Sequence, residues 1–364
     1  MNQEVISNRQ GISILVIFMV GSTIILNPGK EAGVDSWIAI LLAVLVALPM
    51  LLIHTRLMRI FPGKDLFDLQ QKAFGKIAGK ITSFFFVWFT FHLGTLVLRN
   101  FSEFIQLVSL QETPQFPILI SMGFLCIWAA KSGIEALGRF AICIIPLVVC
   151  AIIVVFLLSI PQMDLKNIRP VLYNGIGPVL NSTASLFAFP FGELALFTMV
   201  FDSLKSKDKI FQAYIIGTIM TASILILSYV RNILVIGGES YSSHFFPSYF
   251  SISVISIGDF LQRIEAVVGV IFLFGGFIKA SVCLYIASKG CAKIFNLGNY
   301  SDIAAPIGLL MVCMAGFIYT NTMEMFEWAA EIYKYYVIPF YVILPLITLI
   351  VIEIKTRGNS PVPE

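Results

Sequence analysis

Ten long apolar runs follow one another along this chain, at about 11–33, 36–58, 81–108, 115–132, 138–160, 176–202, 209–236, 260–288, 303–320 and 333–353. Runs of roughly 18–25 apolar residues match the hydrocarbon thickness of a bilayer when coiled as helices. The pattern therefore predicts an all-α membrane protein of ten transmembrane helices. No stretch between the runs holds a soluble domain, so residues 1–364 read as a single polytopic domain. Composition agrees: 58% of residues are hydrophobic and 12% are charged, against about 25% charged in soluble domains. No signal peptide is evident, because the first run lacks a small-residue cleavage site and leads into further membrane segments.

Charge placement gives a predicted orientation. With the N-terminus inside, the inner loops hold sixteen Lys and Arg. The outer ones hold Lys30, Lys166, Arg169 and Lys334. The excess of basic residues on cytoplasmic loops places both termini, residues 1–10 and 354–364, in the cytoplasm. The inner loop 59–80 reads as a short amphipathic helix along the membrane surface, with Leu66, Phe67, Leu69, Phe74 and Ile77 set against lysines. The outer loop 237–259 carries no Lys or Arg and is rich in Ser, Tyr and Phe. It reads either as a cap on an outer vestibule or as an ordinary aromatic-belt loop.

Two runs are interrupted. The sixth contains Phe189-Pro190-Phe191-Gly192-Glu193 near its middle, and the first contains Gly21-Ser22-Thr23 with Pro28 and Gly29 beyond it. In lipid, irregular backbone is tolerated only against protein or a water-filled cavity. A carboxylate at that depth costs about 2.5–3.5 kcal/mol on insertion scales and so marks a site or a pathway. Broken helices at corresponding places in two halves point to a midplane binding site between inverted five-helix repeats. Unwinding exposes N–H groups that favour a carboxylate and C=O groups that favour an ammonium. A Pro/Gly kink used only for packing is the plainer reading.

Other polar residues lie within the runs. His92, Thr95, Arg99 and Glu103 share one helical face, and Arg99 and Glu103 are spaced to pair. Lys279 lies deep in the eighth run, where it either acts as a built-in cation or snorkels to the inner surface. Glu193 is a neutral acid or the partner of Lys279 or Arg99; the sequence leaves these open. Arg231, Arg263 and Glu265 stand near outer helix ends, where they are expected to snorkel or pair. The six cysteines have no metal-like spacing and read as reduced packing residues. No catalytic motif, nucleotide motif, metal site or cofactor site is present in the pattern, so no enzyme activity and no nucleic-acid partner is expected.

Several blocks resemble the spore germination receptor B subunits (GerAB-like, amino acid permease superfamily). They are Gln10-Gly11-Ile12-Ser13, the Gly21-Ser22-Thr23 triplet with Pro28, and Asp35-Ser36-Trp37-Ile38. Asn167-Ile168-Arg169-Pro170-Val171-Leu172, Gly175-Ile176-Gly177-Pro178 and Asn181-Ser182 follow. Arg99 with Glu103, and the Pro247 loop running into Arg263-Ile264-Glu265, are similar too. The resemblance covers essentially the whole chain, and the Asn-Ile-Arg-Pro block is its most specific part. It implies a LeuT/APC-like fold with helices one and six unwound, and nutrient sensing in the spore inner membrane. The implied partners are a larger membrane A subunit and a lipoprotein C subunit.

Carried over by motif, the ligand site would include Gly21, Ser22, Thr23 and Ile24, and Phe187 to Glu193, with Phe189, Pro190 and Gly192 at the break. His92 joins as a candidate, with Lys279, Arg99 and Glu103 as coupling or ion-pair residues. Thr23 stands where many superfamily members carry a second glycine, which bears on permease-like amino-acid binding. The expected ligand is a small nutrient, an amino acid by preference. The rival readings are a proton- or lysine-assisted amino-acid transporter and a solute or water conduit.

Overall fold

The computed structural model describes residues 4–254 and 265–358. Residues 255–259 of the expected outer loop, the start of the eighth run at 260, Arg263, Ile264 and the Glu265 side chain lie outside the described residues. So do residues 1–3 and 359–364.

The helices follow the apolar runs: α1 (Asn8–Leu26), α2 (Ser36–Ile60), α3 (Leu66–Val108), α4 (Gln115–Lys131), α5 (Gly133–Ser159), α6 (Gly177–Ala188) and α7 (Ile210–Ile236). Two short helices, α8 (Gly238–Ser243) and α9 (Pro247–Ser253), fill the described part of the 237–259 loop. Then come α10 (Glu265–Phe295) and α11 (Ser301–Phe317). The last run is a composite of α12 (Thr322–Glu327), a π turn (Trp328–Ile332), α13 (Tyr333–Tyr336), a second π turn (Pro339–Ile343) and α14 (Leu344–Gly358). Among the described residues, eight helical stretches are long and apolar enough to cross a membrane. Runs four and nine are represented by α4 and α11, apolar helices of 17 residues each.

The helix α1 is central: it packs on α10, α7 and α5, while α10 also packs along α3. Its start is fixed by a capping box, in which Ser7 Oγ accepts from Gln10 N at 3.3 Å and Gln10 Oε1 accepts from Ser7 N at 2.7 Å. The expected break at Gly21-Ser22-Thr23 is absent. The helix runs unbroken to Leu26 and ends at Asn27, whose φ is 46°. The glycine serves packing instead: a Cβ on Gly21 would sit 2.1 Å from Gly275 Cα, so the α1 and α10 backbones touch there. Thr23 donates to Met19 O at 2.5 Å within the same helix.

The break in run six is present. Pro190 has no N–H to continue a helix and drives the preceding residue out of the helical region. Phe189 is extended (φ −149°, ψ 109°) and caps α6 by donating its N–H to Ser185 O at 2.9 Å. The chain then resumes as a nine-residue 3₁₀ helix, Phe191–Met199, in which every residue is buried. Gly192 has no room for a side chain, because a Cβ would lie 2.4 Å from the Tyr341 ring.

Two surface expectations are corrected. The 59–80 segment holds the end of α2, a turn and the start of α3, which bends at Gly75 (φ 81°). Its apolar face is packed inward, with Leu66, Phe67 and Leu69 buried and Phe67 against Gly290; Ile77 alone of the five is fully exposed. It is therefore not a helix that lays its apolar side into lipid. Arg231 does not snorkel: it is 5% exposed and bonded to Asn232 and Ser251. The six cysteines are free thiols.

Candidate functional site

The break in run six positions Glu193 against α10. Lys279 Nζ lies 2.6 Å from Glu193 Oε2, and both side chains are completely buried. The same ammonium donates to Ser22 Oγ of α1 at 3.3 Å. It also faces the rings of Phe189 at 4.2 Å and Phe18 at 4.9 Å. A buried cation over aromatic faces is attracted by their quadrupoles. Among the described residues, Glu193 Oε1 has no hydrogen-bond partner. The pair is thus incompletely satisfied, an expensive arrangement for a structural ion pair.

A cavity of about 320 Å³ reaches Lys279 from the end of the bundle that carries Lys30 and Glu31. Ser22, Phe189 and Lys279 line its buried end, with Leu93, Val97 and Tyr333 as apolar walls. Glu193 lies behind Lys279 and does not line it, so the charge offered at depth is positive. The C-terminal ends of α1 and α6, at Leu26 and Ala188, also reach the cavity. Helix C-termini carry partial negative charge. Both faces that a zwitterion needs are therefore present, although neither arises from unwinding at Gly21–Thr23.

The other candidate residues are dispersed. Gly21 and Thr23 are buried packing positions, and Ile24 lines a second, smaller void. His92 is stacked on Trp88 with ring centroids 5.8 Å apart and meets Trp328 and Tyr336 edge-on, away from the cavity lining. Phe187 is half-buried; Pro190 and Gly192 are buried at the break. Arg99 and Glu103 do pair, at 2.7 Å, but Arg99 Nη1 donates to Ala315 O at 3.2 Å and Glu103 accepts from Thr322 at 2.9 Å. They tie α3 to the end of α11 and the start of α12 rather than facing Lys279.

Two groups escaped the sequence reading. Asn27 ends α1 and lines the cavity, and the Asn27-Pro28-Gly29 run was its signal. At the opposite end of the bundle, Lys289 Nζ lies 2.8 Å from both carboxylate oxygens of Asp202, 3.1 Å from Asp65 and 3.0 Å from Met199 O. Lys293 meets Asp65 at 2.8 Å and Asp68 at 2.7 Å. The i,i+4 spacing of the two lysines was visible, but not what faces them. Burial would push the Asp65 carboxyl up, but Lys289, Lys293 and the Asp68 N–H outweigh it and hold it below the usual range. Burial, aided by the Asp65 charge, pushes Asp202 up to about 6 against the pull of Lys289. Beside this cluster, Ile6 N donates to Ser203 O at 2.8 Å and Lys205 N to Ile6 O at 2.9 Å, pinning the N-terminal segment across that face. Glu4 reaches Tyr300 OH and the Ile134 N–H.

Solved structures share this fold. A nucleobase-cation-symport-1 transporter, Mhp1, with bromovinylhydantoin bound, aligns with TM-score 0.69 at 11% identity over 90% of this chain and 75% of its own. MhsT in complex with L-phenylalanine aligns with TM-score 0.61 at 12% identity over 97% and 99%. A Na⁺-coupled sialic acid symporter aligns with TM-score 0.67 at 9% identity over 99% and 91%. The fold is thus the LeuT-like helical bundle of these transporters.

Among sequences, "Spore germination protein KB" of Bacillus subtilis (strain 168) is 29% identical over 99% of this chain and 98% of its own length. "Spore germination protein A2" of the same organism is 22% identical over 96% and 95%. These relatives and the fold describe permease-like membrane proteins of germination, not a known class of enzyme. The spore germination protein family model matches residues 5–325, and the chain belongs to that family of multi-pass membrane proteins.

Proposed function

We propose that this chain is the B-type subunit of a spore nutrient receptor, binding a small nutrient, by preference an amino acid, in the cavity above Lys279. The observation that carries this reading is the buried Lys279–Glu193 pair at the floor of a 320 Å³ cavity, set at the one proline break of run six. The solved neighbours named with small organic ligands support a fold suited to such cargo. Ser22, Phe189 and Lys279 contact the nutrient; Glu193 sets the charge behind them. Gly21, Thr23, Ile24, His92, Phe187, Pro190 and Gly192 hold the helices that frame it. In the orientation given by the loop charges, both termini are cytoplasmic in the spore inner membrane and the cavity opens outward. The Asp65–Lys289–Asp202 end is closed. Binding shifts the bundle only through a difference in affinity between its states, and the shift passes to an A subunit and a lipoprotein C subunit.

The test uses the receptor purified with its partners and a panel of amino acids and sugars. Saturable binding of at least one is expected. Phe189→Ala should change which nutrient triggers germination, while protein levels stay normal. No saturable binding of any member of the panel sinks the reading. Uptake into liposomes that disappears with Glu193→Gln would replace it with a working transporter.

A further inference from the structure

The large cavity is stratified along the bundle axis. At its floor an ammonium has three N–H bonds to place. Lys279 gives one to Glu193 and one to Ser22, and among the described residues no acceptor takes the third. With one proton between them, Lys279 and Glu193 carry no net charge. A ligand entering this buried floor is therefore accommodated best when its own charges also cancel.

Above the floor the walls turn apolar. Leu93, Leu96, Val97 and Asn100 stand at i, i+3, i+4 and i+7 on α3 and all line the cavity, so one face of that helix fronts it. Leu26 at the end of α1 and Ala188 at the end of α6 extend the apolar belt. Asn27, the polar neighbour of Leu26, is already committed. Its Nδ2 donates to Ile24 O and to Ser248 Oγ, each at 3.0 Å, and its Oδ1 accepts from Tyr241 OH at 3.4 Å. Polar side chains return farther out, at Asn100, Ser185 and Tyr319.

We infer that the nutrient is a zwitterionic amino acid with a bulky, uncharged, apolar side chain. Its carboxylate sits on Lys279, its ammonium faces the C-terminal carbonyls of α6, and its side chain lies on the Leu93–Leu96–Val97 face. This deepens the nutrient-binding reading above and rests on it. In the belt a hexose would have hydroxyls without partners, and a buried polar group without a partner forfeits its bonds to water. A charged side chain short enough to stay in the belt, as in aspartate, would lie there uncompensated. A methyl side chain leaves the belt unfilled, and one missing methylene in an apolar pocket lowers affinity by roughly 10–200-fold.

The experiment is calorimetric titration of the receptor purified with its partners. The probes are L-leucine, L-phenylalanine, L-alanine, L-aspartate, L-leucinamide and D-glucose, each added alone. L-leucine or L-phenylalanine is expected to bind at least about tenfold more tightly than L-alanine. L-aspartate, L-leucinamide and D-glucose are expected to give no saturable heat. Val97→Phe narrows the belt and should lower the leucine-to-alanine affinity ratio by about tenfold or more. Leu93→Ala lowers the same ratio by removing apolar contact, and it keeps the inference falsifiable if Val97→Phe fails to accumulate. Tighter binding of L-alanine or D-glucose than of both apolar amino acids overturns the inference and leaves a nutrient site in place. L-leucinamide binding as tightly as L-leucine overturns the carboxylate's place on Lys279, and a ratio unchanged in both variants overturns the role of the α3 face. If none of these probes binds while another amino acid or sugar does, the inference alone fails. If nothing binds, the nutrient-binding reading fails with it.

Discussion

The helix α10 carries two buried lysine centres, and they are built on opposite plans. Lys279, at mid-length, has one carboxylate, one weak hydroxyl contact and two aromatic faces, beside a cavity and an orphaned Glu193 oxygen. Lys289, nearly three turns on, is chelated by Asp202, bonded to Asp65 and capped by Met199 O, with Lys293 closing the same cluster. Run six contributes to both, through Glu193 and Asp202. The first centre keeps bonding capacity in reserve, as a ligand site requires. The second directs nearly all of it to joining the α2–α3 turn, the end of run six and α10, with Asp65 Oδ2 held only by its 3.1 Å ion contact with Lys289. Under the proposed function, the difference separates a place that receives a nutrient from a place that holds the opposite end shut.

The sharpest way to break this contrast is Lys289→Met. It strands Asp202 beside Asp65, which keeps Lys293 at 2.8 Å, and removing one partner of a buried ion pair costs about 3–5 kcal/mol. With the Asp65 carboxylate still beside the unpaired Asp202, the loss should fall at the upper end of that range. The expected outcome is a protein that barely accumulates in membranes, read by its level and by thermal unfolding in detergent. A variant as stable as the parent would mean the cluster does not hold the closed end.

A smaller effect is expected at Lys279. Alone, Lys279→Met leaves Glu193 buried without its partner, a loss of about 3–5 kcal/mol. Lys279→Met combined with Glu193→Met removes both charges at similar volume, and such replacements are often neutral or stabilising. The double variant should therefore unfold at or above the parental temperature yet bind no nutrient. Parental nutrient binding by the stable double variant would deny the pair its role in the site.

How far these centres were legible depends on range. The helical apolar runs, the Pro190 break and the Arg99–Glu103 pair depend on neighbours within a turn or two, and each was readable. Gly21-Ser22-Thr23 misled because small residues signal both weak helix and close helix contact, and here Gly275 supplies the contact. The Glu193–Lys279 pair joins residues 86 positions apart, and sequence offered Arg99 as an equal partner. Asp65 and Asp202 look like loop acids until the fold brings them onto Lys289. Arg231 lies near a helix end, where snorkelling is the default; only the packing of α9 over it shows that it is enclosed.

The smallest expected effect is the pH dependence that the Lys289 cluster contributes. Asp202 has its folded pKa raised to about 6 from the ordinary 3.8. Between those values the folded chain holds a proton that the unfolded chain releases. That stabilisation is complete below the ordinary value and is lost as pH rises through about 6. Asp65, whose pKa is lowered, acts with the opposite sign and below that window, losing its contribution as pH falls. Thermal unfolding from pH 4.5 to 7 should therefore show a parental stability that declines as pH rises toward 6. The slope cannot exceed about 1.4 kcal/mol per pH unit for one proton. Asp202→Asn should flatten that decline, because Asn cannot take the proton up. If the decline persists in Asp202→Asn, its source is another group and the two centres differ in connection but not in protonation.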